Sequence, residues 1–182
     1  MSDSHKKFLT IGLWVAIAVI VIRYLIVAPQ SLYDYFGAAG EAVAITTVIM
    51  TLYNTVLWRF NPFEKAPRLM GKYEGIIEYN YMGEDKKKET EVTIRQTALS
   101  IRIGISTDQI TSNSITSNLV EENGEYALYY TYITNPKSKY SEDNPVQYGT
   151  CRVIQRSKTR LQGTYWTSRK TIGDIELDMK EN

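Results

Sequence analysis

Two patterns divide the chain. From Phe8 to Ala28 and from Ala42 to Phe60 it is almost continuously apolar, whereas beyond about Leu69 apolar and polar residues alternate with a period of two. The first run, FLTIGLWVAIAVIVIRYLIVA, has Arg23 as its one charge; the second, AVAITTVIMTLYNTVLWRF, has Arg59 near its end. About 20 apolar residues rising 1.5 Å each cross the ~30 Å hydrocarbon layer of a bilayer. Neither run has the polar face of a helix lying on a soluble core. They predict two N-terminal transmembrane α-helices, over about 8–28 and 42–60. A cleaved signal peptide fits poorly, because Pro29 follows the plausible cut at Ala28 and a second apolar run comes soon after. Arg23 with Tyr24, and Trp58 with Arg59 and Phe60, read as interfacial anchors. Lys6 and Lys7 precede the first span, Arg59, Lys65 and Arg68 follow the second, and the connector Pro29–Glu41 has neither Lys nor Arg. That asymmetry predicts a multi-pass protein with both termini cytoplasmic.

Pro62 and Pro67 punctuate a linker, which sets the expected domains at 1–61 (membrane region) and 62–182 (cytoplasmic). In the second, Gly71, Tyr73, Gly75, Ile77, Tyr79 and Tyr81 share one parity. Met82–Lys88 reads as a turn and a solvated charge run. Thr90, Val92, Ile94 and Gln96 face inward, followed by an alternating strand through Ile101, Ile103 and Ile105 and a weaker one near Ile115–Val120. Asn123-Gly124 signals a hairpin. Tyr126–Thr134 is a strand rich in tyrosine, and Asn135–Pro145 is a long polar loop. Gln147–Gln155 and Arg160–Lys170 flank a turn, and a last strand runs from Thr171 to Lys180. About eight strands predict an all-β, roughly eight-stranded antiparallel up-and-down barrel. Glycines within the strands (Gly71, Gly75, Gly149, Gly163, Gly173) favour it over a β-sandwich.

Composition narrows the chemistry. Across 182 residues, 21 Lys+Arg nearly balance 20 Asp+Glu, for a net charge of +1, which argues against a grip on nucleic acid phosphates. One His, at position 5, and one Cys, at position 151, exclude a zinc finger, a disulfide scaffold and a His-dependent triad. Carboxylates fall almost wholly on outward parity, and no Gly-rich loop precedes a helix. No catalytic or metal-ligating residues are assigned, and neither enzymatic activity nor a cofactor is expected.

Ligand binding fits better. If Leu161–Thr171 runs into the last strand without a bulge, Leu161, Gly163, Tyr165, Thr167, Arg169 and Thr171 face inward. An inward Arg with no inward carboxylate calls for an anion from outside. Its planar fork suits phosphate, hydroxyls add donors, and aromatic rings stack on bases. The candidate ligand-binding residues are Tyr165, Thr167, Arg169, Tyr79, Tyr81 and Thr171.

The run G-x-Y-x-T-x-R-x-T-x-G at Gly163, Tyr165, Thr167, Arg169, Thr171 and Gly173, the opening Gly71-Lys72-Tyr73-Glu74-Gly75 and the two spans carry a resemblance. The chain resembles the two-transmembrane, β-strand-rich effectors of CBASS, the bacterial cyclic-oligonucleotide antiphage signalling system. The resemblance implies a minimal eight-stranded barrel that binds a cyclic dinucleotide made by a partner nucleotidyltransferase. It further implies ligand-promoted self-assembly, contact of the spans with membrane lipid, and disruption of the inner membrane in antiphage defence. Two other readings follow from the same pattern: a membrane-anchored, lipocalin-like carrier of a small apolar ligand, and a structural interaction platform.

Overall fold

A computed structural model describes residues 3–69, 71–81, 83–142 and 144–180, without the side chains of Asp3 and Tyr81. The chain forms two compact units, Met1–Lys65 with Thr97–Leu99, and Ala66–Gln96 with Ser100–Asn182.

The first unit is built on α1 (Asp3–Ile26) and α2 (Leu32–Thr55), both long and apolar enough to cross a membrane. α2 starts well before the expected residue 42. Ser31 supplies the reason: its Oγ accepts from the Asp34 backbone N–H (3.3 Å), and Asp34 Oδ2 accepts from the Ser31 N–H (2.9 Å). That reciprocal pair starts the helix where hydropathy alone shows only connector. α2 also ends earlier than residue 60, giving way to a 3₁₀ turn over Leu57–Phe60. Arg23, expected as an anchor at the lipid interface, donates to Glu41 of α2 (2.8 Å). Thr47 and Thr51 return their hydroxyls to the carbonyls of Val43 and Thr47.

The second unit is a closed barrel of eight antiparallel strands in sequence order: β1 (Gly71–Tyr81), β2 (Glu84–Gln96), β3 (Ile101–Ser106), β4 (Ile110–Glu122), β5 (Glu125–Pro136), β6 (Gln147–Gln155), β7 (Arg160–Thr167) and β8 (Ile172–Met179), with β8 pairing back onto β1. Closure rules out the β-sandwich and leaves no free edge. At Gly75 the backbone of β8 passes where a Cβ would sit, so only glycine allows the two strands to meet there. Asn123 (φ 51°) and Gly124 (φ 84°) form the two-residue turn between β4 and β5.

In an up-and-down barrel, alternate connections lie at the same end. The β1–β2, β3–β4, β5–β6 and β7–β8 connections therefore surround one end, here called the mouth. At the other end, where the chain enters, the barrel is sealed. The Gln96 side chain accepts from the Leu69 N–H (2.7 Å) and donates to the Pro67 carbonyl (3.0 Å). Tyr73 donates its hydroxyl to the Leu69 carbonyl (3.0 Å). Leu128, Leu161 and Leu177 fill the space behind, each 2 % exposed or less.

Two expectations change. The stretch from Arg160 does not run through to the last strand: β7 ends at Thr167, and a turn over residues 168–170 leads to β8. Lys170 takes φ 61° there, and the Thr167 N–H donates to the Thr171 carbonyl (3.0 Å) across the turn. Likewise Glu84–Lys88, expected as part of a turn, is the first stretch of β2.

Candidate functional site

A cavity of about 350 Å³ opens at the mouth, and residues from all four connections or their strand ends line it. Its volume lies in the range of small-molecule sites. Register explains its wall. Lys86 is paired with Tyr79, Tyr79 with Gly173, Gly173 with Tyr165, Tyr165 with Cys151, and Cys151 with Tyr130. One inward-facing row thus crosses β2, β1, β8, β7, β6 and β5, and alternation brings every second residue of each strand to the same interior.

Glycine gives the rings their places. A Cβ on Gly173 would meet the Tyr165 ring at 2.7 Å, and a Cβ on Gly149 would collide with Tyr132. Each tyrosine lies across the glycine opposite it on the neighbouring strand. That seats both rings close against the backbone of the neighbouring strand, where they line the cavity. Tyr130 and Tyr132 pack with ring centroids 5.9 Å apart.

The electrostatics follow from burial. Desolvation raises the hydroxyl pKa of Tyr130, Tyr132, Tyr165 and Tyr79 above the usual phenol value. It pushes the Cys151 thiol up to about 12. All five groups are therefore neutral at physiological pH, and the phenols present O–H donors. Among the described residues, the hydroxyls of Tyr79, Tyr132 and Tyr165 have no hydrogen-bond partner, although Tyr73, on the strand and parity of Tyr79, has one. Lys86 and Lys88 of β2 and Arg169 of the β7–β8 turn add cationic groups to the same cavity. Burial lowers the Lys88 pKa, Asp108 opposes that shift and Lys86 adds to it.

Of the six residues singled out in the sequence, Tyr79, Tyr165, Thr167, Arg169 and Thr171 line this one cavity. The side chain of Tyr81 lies outside the described residues. Arg169 arrives differently from expectation. It is exposed on a turn at the rim, because β7 stops two residues before it. Sequence reasoning missed Lys86 and Lys88, whose parity matches Thr90, Val92, Ile94 and Gln96, and missed Tyr132, Gln109 and Asn144. By contrast Arg152, on the outward face of β6, is held by Glu122 (2.6 Å) and by the Tyr129 hydroxyl (2.8 Å).

Residues 64–179 match the family described as "Cap15, cyclic dinucleotide receptor domain". The chain is 35% identical over 180 residues to the CD-NTase-associated protein 15 of Staphylococcus schleiferi, covering 97% of this chain and 98% of that protein. A redesigned β-barrel of known structure is similar at 11% identity, covering 62% of this chain and 92% of that one, with a TM-score of 0.43.

Proposed function

The chain belongs to the Cap15 family, CD-NTase-associated proteins with a cyclic dinucleotide receptor domain, and from that premise we propose that its barrel mouth is the receptor site and its two helices the effector. One observation carries the placement. Three desolvated tyrosine hydroxyls without described partners share a cavity with Arg169, whereas the tyrosine at the sealed end is fully partnered. A cyclic dinucleotide answers each feature: its phosphodiesters suit Arg169, its sugar and phosphate oxygens accept from Tyr79, Tyr165, Thr167 and Thr171, and its bases stack on the rings.

In this reading residues 1–61 are a membrane region and 62–182 the sensing domain, in the bacterial inner membrane with both termini cytoplasmic. A nucleotidyltransferase supplies the messenger. Binding promotes self-assembly, and the clustered spans disrupt the membrane and end phage replication. The ligand drives that shift only if it binds the assembled state more tightly than the monomer. In this reading the barrel acts by binding, since the described residues of its cavity offer hydrogen-bond donors and cations.

The test is calorimetric titration of the full chain in detergent with a panel of cyclic dinucleotides. One of them binds, and Arg169→Ala weakens it roughly tenfold to a hundredfold, the range for a charge-assisted hydrogen bond. Unchanged affinity removes Arg169 from the site. In vesicles loaded with dye, release requires the same ligand and the spans; release without ligand refutes the coupling.

A further inference from the structure

Lys88 stands where a solvated charge run was expected. It lies opposite Ile77 on β1, one alternation deeper than Lys86, which is opposite Tyr79, and both lysines face the cavity. The Lys88 side chain is half-buried and donates to Gln109 Oε1, a neutral acceptor. No carboxylate among the described residues is within ion-pair distance of it. Gln109 is itself fixed: its N–H donates to Thr107 Oγ1 (3.2 Å), and the Lys137 ammonium ties the Thr107 and Asp108 carbonyls (3.1 and 2.8 Å). An ammonium partly withdrawn from water, bonded to a neutral amide and facing the Asp108 carboxylate only from beyond ion-pair distance, is short of negative charge. Around the wall, β8 and β1 separate it from the turn that bears Arg169. Tyr79 and Thr171 line the interval.

We propose that Lys88, with Lys86 beside it at the mouth, forms a second phosphate position separate from that of Arg169, so that the two phosphodiesters of one cyclic dinucleotide are held by different cations with Tyr79 between them. This deepens the receptor reading and rests on it. A ring with two phosphates held apart spans both positions at once; a nucleotide with a single phosphate reaches one.

The experiment uses the full chain in detergent, a panel of 3′,5′-linked cyclic dinucleotides covering the pairings of A, G and U, and the variants Lys88→Met, Arg169→Met and both together, with affinity and thermal midpoint measured on each. Lys88→Met keeps the length of the stem and removes the charge. The expected result is a tenfold to hundredfold loss of affinity with a thermal midpoint unchanged or raised, since a desolvated charge has been removed. In the double variant the two losses multiply, as for independent contacts. A loss under twofold overturns the proposal. So does a lowered thermal midpoint in Lys88→Met, which makes the lysine a structural residue, and so does a double variant no weaker than Arg169→Met, which places both cations on one phosphate. If wild type binds no member of the panel, the receptor reading itself fails, and this position with it.

Discussion

Tyr73 and Tyr79 stand six residues apart on one strand, with the same parity, and they have opposite surroundings. At the sealed end Tyr73 is 1 % exposed and gives its hydroxyl to the Leu69 carbonyl. At the mouth Tyr79 is half-buried, with no described partner for its hydroxyl. A similar contrast separates Gln96 from Lys88. Gln96 satisfies two backbone groups of the entering segment. Lys88 meets one neutral amide oxygen. The barrel thus has one end finished by its own chain and one end where the hydroxyls of Tyr79, Tyr132 and Tyr165 are left for something else. Burial alone does not mark a binding site; burial without partners does.

The largest effect that sharpens this division falls at the sealed end. Leu161→Ala removes a side chain 1 % exposed and costs about 2–5 kcal/mol of stability, read as a lowered thermal midpoint or denaturant midpoint. Affinity of the remaining folded protein for its cyclic dinucleotide is unchanged. A selective loss of affinity without destabilisation would break the division between the two ends.

Next comes a matched pair of tyrosines. Tyr73→Phe leaves the buried Leu69 carbonyl without its donor and costs about 1 kcal/mol, with affinity intact. Tyr165→Phe removes a desolvated hydroxyl without a described partner, so stability holds or rises slightly, while affinity falls severalfold. The reverse assignment in a side-by-side denaturation and titration contradicts the account.

Alkaline pH reads the mouth through the Cys151 thiol. Its ordinary value is 9.0, and burial raises it to about 12, so the folded protein keeps a proton that the unfolded chain loses. The unfolded state then binds fewer protons, and stability falls as pH rises. The full contribution is present below pH 9 and is lost between 9 and about 12, with a slope of up to about 1.4 kcal/mol per pH unit. The tyrosines of the cavity add to this decline above pH 10. Cys151→Ala flattens the slope between pH 9 and 10 in denaturant titrations; an unaltered slope contradicts the burial argument.

The smallest effect lies in the β7–β8 turn. Lys170 holds φ 61°, a left-handed conformation that favours glycine. Lys170→Gly stabilises the barrel by a few tenths to about 1 kcal/mol, the relieved strain being partly offset by the freedom glycine gains in the unfolded chain. A clear loss of stability shows that the lysine side chain, not the turn, matters there.

How much of this was legible depends on what each residue's position rests on. Alternation alone puts Tyr79, Tyr165, Thr167 and Thr171 on inward parity, because strand register converts spacing into a shared interior. Arg169 reached the same cavity by another route. The sequence Ser168-Arg169-Lys170 has no Gly, Asn or Pro to announce a turn, so the alternation reads straight through it. Lys86 and Lys88 were hidden by composition: three consecutive lysines read as solvent-facing, although two of them share parity with Val92 and Ile94. Gln109 and Asn144 lie on connections far apart in sequence, and they line one cavity because an up-and-down barrel gathers alternate connections at one end. The early start of α2 was written in Ser31 and Asp34, a capping pair inside a segment that hydropathy treats as connector.

Whether the unfinished end of the barrel is the receptor site is decided by a structure of the full chain with its tightest-binding cyclic dinucleotide. The expected position of the ligand is within the mouth, in contact with Tyr79, Tyr165 and Arg169. A ligand seated on the outer face of the barrel, with that cavity empty at saturation, would contradict it.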